Sequence, residues 1–156
     1  MKESPPVPPG AISQTVPGQP YLRYYPAHRL IAWQPQGVLD DNLLDGMLNW
    51  LLAVEKVSLP FKRYVDLSRL TQISLQIGHF FSIARARIEA RVGLTPVRVA
   101  LFCDKTVGFG IAHLYESLVE GTPIEARAFR DRAAAAEWLE VPVEVLELTD
   151  QPAPPA

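Results

Sequence analysis

The stretch from Val97 to Leu139 constrains the fold of this chain more than any other part. It starts with a run that is apolar at nearly every position, Val97–Cys103, and continues into a helical segment near a Gly-x-Gly sequence. A second strand pattern closes on Phe129, and a short alanine-rich helix ends at Trp138. Parallel strands need long crossover connections, usually helices, and these crossovers are right-handed. The stretch therefore predicts a parallel sheet covered by helices.

The segment before it adds more elements of both kinds. A turn that begins with Pro26 separates two strand-like runs and predicts a hairpin. The order β-β-α-β-α-β-α-β-α predicts an α/β fold with a mixed, mostly parallel five-stranded sheet and four helices. Residues 68–74 are predicted as a loop, and residues 143–148 as a weak edge strand or a packed arm. The predicted strands are 21–25, 30–33, 63–67, 97–103 and 125–129, and the predicted helices are about 43–56, 75–92, 107–120 and 132–139.

The two ends of the chain differ in composition from the middle. Nine of the 15 prolines lie in the first twenty and the last five residues. Proline lacks a backbone N–H, so such segments cannot form regular helix or ladder hydrogen bonds. We therefore predict a proline-rich disordered tail at 1–20, one domain at 21–148 and a second disordered tail at 149–156.

Composition limits the classes of partner. A chain of 156 residues with 48% apolar residues can bury the core of a single domain. The net charge of −2 gives no support for a nucleic-acid partner, and no apolar run approaches the roughly 18 residues that span a bilayer. The single cysteine, Cys103, ends a strand predicted to be buried, where it acts as a small apolar side chain. We expect a cytoplasmic protein without metal or cofactor.

The Phe129-Arg130-Asp131 sequence followed by Trp138-Leu139, in this order of elements, resembles the STAS domains (sulfate transporter and anti-sigma-factor antagonist). It is most similar to their SpoIIAA-like branch, and the resemblance covers about residues 21–139. The segment 109–116 is similar to the "FG-x-A-x-x-Y" helix start of that branch. The resemblance implies a non-catalytic regulatory or binding domain that docks on protein partners. In the anti-sigma antagonists, a kinase partner phosphorylates a serine at the start of the second helix.

The resemblance also locates a candidate docking or phosphorylation surface at Asp66, Ser68, Thr71 and Ser74. The family's aspartate–serine–serine–glycine run is missing, and the acceptor position falls on Leu75, which argues against a phosphoswitch. Ser74 is one residue away. A phosphate there would meet the positive end of a helix, whereas the simpler interpretation is that Ser74 caps that helix.

Two helices carry patterns with more than one interpretation. The first helix has an apolar surface, including Leu44, Leu48, Trp50 and Leu51, that is either a homodimer contact or covered by neighbouring elements. The second helix has an apolar stripe predicted to face the core. Its arginines suggest either an anion or acidic-partner patch or a solvated face. The stripe consists of Ile77, Phe81, Ala84 and Ile88, and the arginines are Arg85, Arg87 and Arg91.

No Ser–His–Asp order, paired acid or activated nucleophile occurs in a convincing local context, so we do not expect an enzyme. The leading interpretation is a protein–protein interaction module. The alternative is a small-ligand domain for a lipid or a nucleotide. For the nucleotide, Gly108-Phe109-Gly110 is an incomplete fingerprint, and its glycines are equally explained by close helix–sheet packing. For the lipid, the candidate pocket walls are Trp33, Phe80, Phe81 and Phe109.

Overall fold

The secondary structure reproduces the alternation of strands and helices predicted from the sequence. The computed structural model describes residues 14–16, 19–57 and 62–147. The strands are β1 (Gln14–Val16), β2 (Gln19–Tyr25), β3 (Leu30–Trp33), β4 (Gly37–Asp40), β5 (Lys62–Asp66), β6 (Leu70–Ser74), β7 (Val97–Phe102) and β8 (Ile124–Phe129). The helices are α1 (Asp41–Val57), α2 (Ile77–Arg91), α3 (Thr106–Leu118), α4 (Arg132–Leu139) and α5 (Val143–Leu146).

The main sheet has the strand order β1-β2-β3-β5-β7-β8. Strands β1, β2 and β3 pair antiparallel, whereas β3, β5, β7 and β8 pair parallel. The predicted hairpin, the mixed and mostly parallel sheet and the α/β class are therefore confirmed. Within the described residues the structure adds β1 to this sheet, a fifth helix, and a separate parallel pair formed by β4 and β6.

One local prediction was wrong, and for another segment the structure agrees with one of two predicted alternatives. Residues 68–74 are not only a loop, because Leu70–Ser74 form strand β6 beside β4. The pairing partner lies more than thirty residues earlier in the chain, so a local pattern does not reveal it. For residues 143–148 an edge strand or a packed arm was predicted, and in the described part Val143–Leu146 form one turn of helix that starts after Pro142. Leu146 is fully buried there, so this segment does pack as an arm.

The predicted tail and domain boundaries are only partly within the described residues. Strand β1 and the first residues of β2 lie inside the segment 1–20 that we predicted as a tail. Residues 1–13, 17–18, 58–61 and 148–156 lie outside the described residues. The domain boundaries stay a prediction.

The sheet separates two apolar layers, because successive side chains of a strand point to opposite faces. On one face, Ile31, Trp33 and Val99 pack with residues of α1 and α3. On the other face, Tyr64 and Phe102 pack against α4 and α5. Strands β3, β5 and β7 are therefore covered on both sides, as expected for the middle of a parallel sheet.

The buried face of α2 differs from the predicted stripe. Ile77 and Phe81 are 55% and 44% exposed, whereas Ala84 is buried. The helix instead buries Phe80 together with arginine side chains, which carry long apolar stems that pack well. The prediction of a solvated arginine face is thus wrong for two of the three arginines. The buried residues of α2 are Phe80, Ile83, Ala84, Arg87 and Arg91.

Helix α3 approaches β7 closely at Gly108, as the packing interpretation of the glycines predicts. A Cβ at Gly108 would overlap Cys103 Sγ and lie 3.2 Å from Cys103 Cβ, whereas a Cβ at Gly110 meets nothing within 4 Å. Burial raises the pKa of the Cys103 thiol, which favours its neutral, apolar form. Cys103 is therefore a packing residue at this contact.

We expect Gly108→Ala to lower the free energy of unfolding by about 1–3 kcal/mol, because the added methyl group overpacks this contact. Gly110→Ala, two residues along the same helix, is the matched control and should be neutral or stabilising by roughly 0.5–1 kcal/mol. Urea unfolding of the two variants measures the difference. Equal stabilities would show that the close approach of α3 to Cys103 does not constrain the fold.

Candidate functional site

A fully buried carboxylate, Asp66, lies at the carboxyl end of the central strand β5. Its Oδ1 accepts hydrogen bonds from the Ser68 backbone N–H at 2.9 Å and the Ser68 hydroxyl at 2.6 Å. Its Oδ2 accepts from Gln34 Nε2 at 3.1 Å and Arg132 Nη2 at 3.3 Å. Both oxygens of this buried charge are thus satisfied, as a stable fold requires. Asp66 joins the end of β3, the end of β5 and the start of α4.

Tyr64 and Arg132 complete this cluster on the α4 side of the sheet. The Tyr64 hydroxyl donates to Asp66 Oδ2 at 3.4 Å and accepts from Arg132 Nε at 3.3 Å. Burial raises the pKa of Tyr64, and the Asp66 charge raises it further, so the phenol keeps its proton. The Arg132 guanidinium also lies 4.8 Å from the centroid of the Phe102 ring. We call Gln34, Tyr64, Asp66, Ser68 and Arg132 the Asp66 cluster.

The Asp66 cluster fixes the turn that follows β5. Ser68 contributes its backbone N–H and its hydroxyl to Asp66, the pattern of an Asx-turn. Its carbonyl accepts from Lys105 Nζ at 2.9 Å. Asp66 itself has no surface to offer a partner. Of the predicted docking residues, Ser68 is half-buried and hydrogen-bonded to Asp66, whereas Thr71 and Ser74 are exposed.

Ser74 ends β6 rather than capping α2. The helix begins at Ile77, and its N-cap residue is Gln76. The side chain of Gln76 makes no capping hydrogen bond to the helix. The backbone N–H of Gln76 instead donates to Asp41 Oδ1 at 3.2 Å. Ser74 pairs with Asp40 across the parallel strands, and both line a shallow polar depression with Asp41. A phosphate on Ser74 would face two carboxylates, which opposes rather than favours a phosphorylated state.

A second feature lies on the other face of the sheet, where an apolar cavity of about 110 Å³ separates it from three helices. Trp33 and Phe80 line it, as the predicted pocket walls require. Phe81 is 44% exposed, and Phe109 stacks on His113 with the Arg130 guanidinium 4.1 Å from its ring centroid. Neither residue lines the cavity. The apolar wall also includes Ile31, Leu39, Leu44, Met47, Leu48, Leu51, Val65, Leu67, Ile83, Val99, Leu101 and Ile111.

The residues that line this cavity also include several with polar side chains, among them Arg63, Arg87 and Tyr115. Burial lowers the pKa of Arg63 to about 9, with further lowering by the Arg87 charge. Burial likewise lowers the pKa of Arg87, which shares a hydrogen bond with Tyr115. Neither Arg63 nor Tyr115 was predicted from the sequence as a site residue. The available signal was the position of Arg63 in a short strand, since a central strand buries both of its faces.

Part of the predicted dimer surface on α1 packs inside the protein. Leu51 is buried, and Leu44 and Leu48 line the cavity, while Trp50 packs against the same core. Neighbouring elements therefore cover much of this surface, which was the second interpretation of the pattern. The homodimer stays a prediction.

The remaining candidate groups lie apart from one another. His79 contacts Asp45 at 2.7 Å, and His113 lies 3.5 Å from Glu116. Across the described ranges, no group of three or more His, Cys, Asp or Glu side chains could hold a metal ion. Among the same residues, every helix falls short of the length and apolarity that a membrane span demands.

Comparison with known proteins finds similarity at the level of the fold. No family model matches the chain, and no curated protein matches it. Among solved structures, the chain is similar to an uncharacterized protein of the DUF3478 family from Shewanella loihica PV-4, described as having a SpoIIAA-like fold. The identity is 19%, the TM-score is 0.48, and the match covers 70% of this chain and 83% of that protein.

We expect Asp66→Asn to lower the free energy of unfolding by about 2–4 kcal/mol, because it removes the charge that Arg132 and the Ser68 turn require. Asp104→Asn is the control, since Asp104 is an exposed carboxylate shortly after the neighbouring strand β7. Its effect should stay within roughly 0.5 kcal/mol. Urea denaturation measures both variants, and similar losses would contradict a structural role for the Asp66 cluster.

Proposed function

We propose that this STAS-like domain binds a small, largely apolar ligand between its sheet and helices α1, α2 and α3. The observation that carries the proposal is the cavity of about 110 Å³, whose wall is apolar over most of its surface. Ligand sites are typically concave and apolar with a few polar groups. Here the polar groups include Arg63, Arg87 and Tyr115.

The size of the cavity limits the ligand. In another protein, an engineered apolar cavity of about 150 Å³ stays dry and binds benzene. A volume of about 110 Å³ therefore suits one small ring or a chain of about six carbons. Larger ligands would require α1 or α2 to move away from the sheet. A nucleotide is a poorer candidate for two reasons. The space next to Gly108 is filled by Cys103, and the cavity wall is apolar.

The Asp66 cluster, at the carboxyl end of β5, does not have the arrangement of a catalytic centre. The Ser68 hydroxyl donates to Asp66, and both Asp66 oxygens are engaged by neighbours. A serine nucleophile needs a base that is oriented by a third group and open to substrate. The contacts of Asp66 instead suit a structural role, which supports binding rather than catalysis as the proposal.

We expect Leu48→Phe to abolish binding of a neutral probe such as 1-hexanol, because the larger side chain fills the cavity. Leu52→Phe, one turn later in α1 and not part of the cavity wall, should bind as the wild type does. Methyl NMR titration is the measurement. Saturable shifts should appear at Leu44, Val99 and Ile111 and not at Leu146, which lies in the core on the other face.

Equal binding by the wild type and Leu48→Phe would sink the proposed site. Shifts of similar size on both faces of the sheet would do the same, since they indicate nonspecific partitioning. Thermal unfolding of both variants shows whether the substitutions preserve the fold.

The leading interpretation from the sequence, a protein interaction module, is a second candidate function that rests on strand β6. Thr71, Gln72 and Ser74 are exposed along this strand, directly after the turn fixed by Asp66. In the described residues, β6 pairs with β4 alone, which leaves an edge that a further strand can extend. Such an edge suits docking of a second copy or another protein.

Native mass spectrometry of the full chain tests this second candidate. Association through β6 predicts a dimer that Ser74→Arg weakens by about tenfold, whereas Ser82→Arg, at an exposed serine on α2, leaves it unchanged. A monomer that retains a small molecule would instead favour the ligand-binding proposal. A dimer unaffected by Ser74→Arg would contradict a role for β6.

A further inference from the structure

The cavity wall contains a buried positive charge in the middle of an apolar face. Arg63 is paired in register with Ile31 on β3 and Val99 on β7, and all three line the cavity. Only 4% of Arg63 is exposed. Removing a guanidinium group from water is costly, and the charged group is retained here within a wall of leucine, valine and isoleucine side chains. Its position is informative about the ligand.

Helix α2 brings further positive charge to the same region. Arg87 is buried, lines the cavity and shares a hydrogen bond with Tyr115 of α3. Arg91 follows one turn later and is fully buried, and its Nη2 donates to the carbonyl oxygen of Thr95. The charges of Arg87 and Arg91 both lower the pKa of Arg63, so the three guanidinium groups lie close enough to influence one another electrostatically.

We propose that the cavity selects a small monocarboxylate, with its hydrocarbon part among the leucines of α1 and its carboxylate against Arg63 and Arg87. This inference rests on the proposed function. A carboxylate matches the planar guanidinium group geometrically, so two arginines in one apolar wall favour an anionic head group over a neutral one. The arginines have contacts of their own within the fold, and the inference uses their position and charge. Tyr115 adds a hydroxyl group to the same wall.

The test compares hexanoate with 1-hexanol on the full chain at pH 7, by isothermal titration calorimetry and methyl NMR. The two probes share a six-carbon chain and differ in charge. We expect hexanoate to bind at least about tenfold more tightly, the ratio that one charge-assisted hydrogen bond supplies. This comparison uses only the wild-type protein, so it does not depend on any variant folding.

Arg63→Met then removes the charge and keeps the length of the side chain. It should weaken hexanoate by about tenfold and change 1-hexanol by less than about twofold. Arg85→Met is the matched control, since Arg85 is an exposed arginine of α2 that does not line the cavity. Its hexanoate affinity should equal that of the wild type. Thermal unfolding verifies that each variant is folded.

The outcomes separate the two proposals. If both probes shift the cavity methyl groups with equal affinity, the carboxylate inference fails and the apolar ligand site stands. If neither probe shifts them, both proposals fail. An equal loss of hexanoate affinity in Arg63→Met and Arg85→Met would overturn the inference, because it would indicate attraction by the overall surface charge.

Discussion

Strand β5 is covered on both faces, and most of the structure depends on how its polar side chains are accommodated. Alternate residues point to opposite layers, so Arg63 faces the cavity and Tyr64 and Asp66 face α4. None of these groups reaches water freely, so each must be stabilised by neighbours. Asp66 draws Gln34, Ser68 and Arg132 toward it, and this sets the positions of three chain segments at once. One buried carboxylate therefore fixes the chain segments that meet at the carboxyl end of β5.

Much of this architecture could be predicted from the sequence, because the strongest signals are local. The apolar run before Cys103 predicted β7, and Asp131 predicted the start of α4, where its side chain accepts from the Ala133 N–H. The hairpin at Pro26 and the breaks between helices followed from proline and glycine chemistry. These features depend on residues close together in the chain, and the structure contains them.

The errors share a different physical origin, which is pairing between distant segments. Strand β6 exists because it finds β4, and no property of Leu70–Ser74 alone specifies that partner. The buried face of α2 differs from the predicted stripe because arginine usually faces solvent, so that burial was not among the two interpretations given for these arginines. Arg87 is buried, and it shares a hydrogen bond with the side chain of Tyr115 on another helix. Asp66 was selected as a surface residue by resemblance, whereas its burial depends on Gln34 and Arg132.

The parallel pairing of β4 and β6 has a mechanical consequence for the cavity. Because β4 leads directly into α1 and β6 leads into α2, the two helices start side by side. The bond from Gln76 to Asp41 and the contact between His79 and Asp45 link them again. The two helices that cover the cavity are thus joined at their starts, so a displacement of one of them away from the sheet would carry the other with it.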